Sequence, residues 1–140
     1  MSMALAATSA QAIPSATAIF CAELERTIEA IELGDTTALQ RSRARPPSFG
    51  FRNGCGAQGG GWFCQQSLAP DQLSLKGLAE GVSRCRPELL RVPQRWPDAV
   101  LFEGSGLRIR IAETGGPGAH VGRIVTFSVE PRTAVRPESR

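Results

Sequence analysis

Cys21, Cys55, Cys64 and Cys85 constrain this chain more than any other feature. An even number of cysteines in a short chain favours disulfides, and disulfides persist only in oxidising compartments. A structural zinc site draws ligands from closely spaced pairs such as C-x-x-C, and a thioredoxin-type redox site needs the same spacing. The closest pair here, Cys55 and Cys64, is separated by Gly-Ala-Gln-Gly-Gly-Gly-Trp-Phe, and the one histidine, His120, lies far along the chain. Neither a metal nor a cofactor is therefore expected. Four cysteines permit three connectivities. Helices packed side by side and antiparallel would join Cys21 to Cys85 and leave Cys55 facing Cys64 across a hairpin.

The first residues agree with an oxidising destination. Small side chains run up to Ala10-Gln11-Ala12, and a signal peptidase accepts small residues one and three positions before its cut. Residues 1–12 read as the remnant of an export signal, although they also fit an ordinary Ala/Ser-rich leader. No stretch approaches the roughly 18 apolar residues that span a bilayer. The expected product is a periplasmic or secreted protein with one α+β domain over residues 13–131 and a polar, disordered tail over 132–140.

Helical periodicity marks residues 15–33, where Phe20, Leu24, Ile28 and Ile31 share a face with Cys21 at its border. Ser15 is placed to cap that helix and Gly34 to end it. Alternation over Phe49–Cys55 predicts a strand, Gly56–Gly61 a flexible turn and Trp62–Leu68 the returning strand. A second helix runs from Ser74 to Arg86, with Leu75, Leu78, Ala79, Val82 and Cys85 on one face. Gly77 and Gly81 weaken it by about 1 kcal/mol each relative to alanine, so it depends on packing or on a bond at Cys85. Ala99–Phe102 enters a strand, Leu107–Ala112 alternates clearly, and Val121–Glu130 returns. The order helix, hairpin, helix, hairpin predicts a two-layer α+β sandwich: a four-stranded antiparallel sheet with two helices on one face.

The chemistry is less legible than the fold. The formal net charge is +3, with 41% hydrophobic and 21% charged residues, an ordinary globular balance. The basic residues are nearly all arginine and are spread along the chain, so nucleic acid is not an expected partner. Gly54-Cys-Gly-Ala-Gln-Gly59 matches G-x-G-x-x-G, but a dinucleotide site needs that run to enter a helix, and here it enters a predicted strand. His120 supplies the one candidate general base, and a small extracytoplasmic hydrolase is the alternative reading. The leading one is a non-catalytic binding module. If Leu107, Ile109 and Ile111 point inward, Arg108 and Arg110 point outward by the two-residue period. Arg52 follows if Phe49 and Phe51 point inward, with Thr126 and Ser128 beside them. Such a face suits an anionic glycan, a lipid headgroup or an acidic protein through bidentate arginine contacts. Phe63 or Trp62 exposed beside these arginines would favour it further.

The succession Phe-Arg-x-Gly-Cys, Gly-Gly-Trp-Phe-Cys, an Ile-Arg-Ile strand and a His-Val-Gly-Arg segment resembles small exported, disulfide-containing bacterial proteins of unknown function. The resemblance implies a stapled fold and brings no activity or functional residues with it.

Overall fold

The computed structural model describes residues 15–41, 43–95, 98–115 and 122–132. The segment read as an export signal, His120, and the tail beyond Arg132 lie outside the described residues. The elements are α1 (Ala16–Glu32), α2 (Thr37–Arg41), β1 (Cys55–Gln58), β2 (Gly61–Gln66), α3 (Leu75–Cys85), β3 (Leu90–Val92), β4 (Ala99–Gly104), β5 (Leu107–Thr114) and β6 (Ile124–Pro131). All strand pairs are antiparallel. They form one six-stranded sheet in the order β1-β2-β6-β5-β4-β3. No described helix is long and apolar enough to cross a membrane.

The α+β class holds, but the sheet has six strands where four were expected, and a short third helix is present. Two local effects, one on where a strand starts and one on the number of strands, separate the structure from that expectation. Phe49 and Phe51 are not in a strand. They belong to a turn in which Phe49 has φ 52° and Gly50 φ 87°, closed by a 2.8 Å bond from the Phe51 amide to the Ser48 carbonyl. Both rings are buried because the turn folds down onto the core. The strand begins only at Cys55, and Gly59 and Gly60, both with positive φ, make the tight turn into β2. The second effect is β3, a three-residue strand bounded by Pro87 and Pro93 and too short to show periodicity.

Both long helices start as their sequences dictate. The Ser15 hydroxyl accepts the Ala18 amide at 3.0 Å, and the Ser74 hydroxyl accepts the Gly77 amide at 3.1 Å. The helices cover one face of the sheet. That face carries Trp62 and Cys64 of β2, Phe127 and Val129 of β6, Ile109 and Ile111 of β5, and Phe102 of β4, all nearly inaccessible. Rings of Phe20 (α1), Phe49 and Phe127 meet at centroid distances of 5.3, 6.1 and 4.6 Å. Gly81 is not merely a weak point in α3. A Cβ there would lie 3.0 Å from the Phe20 ring, so the missing side chain lets α1 come close.

Two disulfides lock this arrangement. Cys21–Cys85 ties α1 to the last residue of α3, and Cys55–Cys64 crosslinks paired residues of β1 and β2. Next to the first bridge, Arg86 binds Glu88 at 2.6 Å and Glu25 at 3.2 Å. The Arg86 hydrogen bond holds the exposed Glu88 carboxyl below the usual carboxylate range. Arg123 is a second fastener. Its guanidinium donates to the carbonyls of Leu73 (2.8 Å), Ala69 (3.0 Å) and Pro70 (2.6 Å). It also pairs with Glu113 at 3.4 Å. Glu113 in turn accepts the Leu75 amide at 2.9 Å, so the loop before α3 is pinned to β5 and β6.

Three outcomes follow from these contacts. The bridges close separations of 64 and 9 residues. The chain-entropy relation then gives losses of about 4 kcal/mol for the Cys21→Ala/Cys85→Ala pair and about 2.5 kcal/mol for Cys55→Ala/Cys64→Ala, read from urea unfolding. Arg123→Met removes the side-chain donor from the Leu73 and Ala69 carbonyls, while Pro70 keeps the Leu73 amide, and is expected to destabilise by about 2–3 kcal/mol in the same assay. A depressed carboxyl pKa means the Arg86–Glu88 interaction is fully present above the unfolded-state pKa of Glu88 and fades as pH falls through the folded value. An NMR titration should therefore place the Glu88 midpoint below that of an ordinary glutamate, and Arg86→Gln should move it back up.

Candidate functional site

The face of the sheet away from the helices is the open one. Strand register aligns its side chains in rows across the sheet. Phe63 on β2 stands opposite Ser128 on β6, Ser128 opposite Arg110 on β5, Arg110 opposite Leu101 on β4, and Leu101 opposite Val92 on β3. One row on, Glu130, Arg108 and Glu103 face one another, ending at Leu90. On the other side, Gln65 pairs with Thr126 and Thr126 with Ala112. Arg108, Arg110, Thr126 and Ser128 thus share one surface. Arg52 does not join them by strand alternation. It lies in the bend before β1, where its amide donates to the Gln66 side chain at 2.9 Å.

The two strand arginines differ in electrostatic state, which sequence alternation could not show. Arg108 is committed: its Nε lies 3.3 Å from Glu103 and its Nη1 4.0 Å from Glu130. Arg132 reaches the other Glu103 oxygen at 3.8 Å. These four residues form a neutralised cluster at one edge of the face. Arg110 is exposed and makes no ion pair among the described residues. Its neighbours along the row are the Ser128 hydroxyl and the Leu101 side chain, with Phe63 one strand further.

Trp62 belongs to the opposite face, where its indole donates to the Pro47 carbonyl at 3.0 Å, so it takes no part in this surface. Phe63 is half-buried on the outer side. Leu90 is 72% exposed at the β3 edge. Among the described residues, the face therefore offers one uncommitted cation within a band of aromatic and aliphatic side chains. Phe63 is thus the aromatic neighbour that the sequence offered, while Leu101, Val92 and Leu90 were not assigned to the face; Leu101 could be read from the two-residue period of β4, but Val92 and Leu90 lie on a strand too short to show one.

The G-x-G-x-x-G run occupies β1 and the turn into β2, so its glycines serve a hairpin and not a helix start. No protein-family model matches the chain, and no curated protein or solved structure is significantly similar to it.

Being partly solvated, the ion pairs around Arg108 add little to stability. Glu103→Gln is expected to lower the unfolding free energy by less than about 1 kcal/mol in urea.

Proposed function

We propose that this protein is a non-catalytic binding module, matured in the periplasm or outside the cell, that presents the open sheet face to an acidic site on a partner protein. The observation that carries the reading is Arg110: a solvent-exposed guanidinium without an ion pair among the described residues, set between Ser128 and Leu101 and two strands from Phe63. A bidentate carboxylate contact at the centre of an apolar band is a common anchor of protein interfaces, where arginine and aromatic residues carry much of the binding energy. Two disulfides in so short a chain support the extracytoplasmic setting.

Among the anionic partners that such a face suits, a protein fits better than a polyanion. A sulfated glycan or an anionic membrane gains from several free cations at once. Here Arg108 and Arg132 are already bound to glutamates, and Glu103 and Glu130 would repel a polyanion. The alternative, a small hydrolase with His120 as its base, rests on a residue outside the described ones.

The test is capture from a cell-envelope extract by the immobilised, oxidised protein, with the partner then purified and its affinity measured. Arg110→Glu and Phe63→Ser should each weaken binding at least tenfold, a loss of about 1.4 kcal/mol. Arg108→Gln should change it far less. Full-strength binding by Arg110→Glu would overturn the proposal, as would retention on heparin or anionic vesicles in place of a protein.

A further inference from the structure

On the opposite side of the molecule lies a cleft of about 420 Å³ between the start of α1 and the stretch of α3 from Gly77 to Arg84. Its size falls within the range of small-molecule sites, roughly 300–1,000 Å³. The α1 wall presents Ile19 and Phe20; Phe49, Leu73 and Leu78 line it further. On α3, Gly77 and Gly81 stand one helical turn apart among Leu78, Glu80 and Arg84; neither adds a side chain, and the Phe20 ring packs over Gly81. Ile19, 48% exposed, is an apolar side chain left open to solvent at this site.

Its charges point to the class of ligand. The lining carries two carboxylates, Glu23 and Glu80, against one cation, Arg84. None of the three makes an ion pair among the described residues, so the lining keeps an excess of negative charge, and Glu23 is the carboxylate held by the backbone. Its oxygens accept the Phe49 amide at 2.9 Å and the Ser48 amide at 3.2 Å, which fixes the carboxylate in place. A carboxylate has about four acceptor positions, so about two remain for a ligand. Phe20, three residues before Glu23 on α1, adds a ring beside this anion, and aromatic faces attract organic cations. We infer that the cleft binds a small amphiphile with an amine head, its ammonium on Glu23 and its hydrocarbon body along Ile19, Leu73 and Leu78. This site is separate from the Arg110 face and calls for ligand charge of the opposite sign.

The experiment uses the full oxidised chain, labelled with ¹⁵N, and three probes of equal chain length: octylammonium, 1-octanol and octanoate. Octylammonium should shift the amides of Gly50, Gly77 and Gly81 and bind at least tenfold more tightly than octanoate, with octanol between them. Glu23→Gln should remove most of the preference for the ammonium head while octanol still binds. Gly77→Leu should abolish binding of all three by filling the cleft. Should Glu23→Gln fail to fold, the head-group order in the unmodified protein and the Gly77→Leu variant still decide the matter. Shifts confined to residues away from the cleft, octanoate binding as tightly as octylammonium, or full binding by Gly77→Leu would each overturn the inference.

Discussion

Cys85 is the last residue of α3 and Cys21 sits early in α1, so the bond between them fixes where the two helices meet above the sheet. Much of the rest depends on that junction. Phe20, adjacent to Cys21, drops toward Gly81 and completes the aromatic group with Phe49 and Phe127. Arg86, adjacent to Cys85, reaches both Glu25 and Glu88. A covalent tie thus sets the approach at which noncovalent contacts become favourable. That matters in a domain whose net stability is a small difference between large opposing terms.

The parts of the fold legible in the sequence are those whose periodicity arises from burial on one side. Leu24, Ile28 and Ile31 mark α1; Leu107, Ile109 and Ile111 mark β5; Val125, Phe127 and Val129 mark β6. Phe49 and Phe51 produce the same alternating signal for another reason. Their rings are buried by a turn with left-handed backbone, whose amides at Ser48 and Phe49 are held by Glu23, 25 or more residues earlier. Such a long-range contact leaves no local trace. Nor does β3, which exists because β4 offers it an edge.

The candidate site was half visible for a related reason. The outward direction of Arg108 and Arg110 follows from the two-residue period alone. Whether either cation is free depends on what stands opposite, and that is a matter of register between strands distant in sequence. Glu130 and Glu103 fall beside Arg108, whereas Ser128 and Leu101 fall beside Arg110. The difference between a paired arginine and one without an ion pair among the described residues is thus one row across the sheet. The α1–α3 cleft is assembled from four separate stretches of chain and has no sequence signature.

The sheet also ends on its two shortest strands, β1 with four residues and β3 with three. Long, flat borders with unpaired backbone groups invite neighbouring molecules to zip together into fibrils. Here Pro93 terminates β3, and β1 is covalently clasped to its inner neighbour. The molecule can leave one broad face uncovered because its rims give a passing chain little to polymerise on.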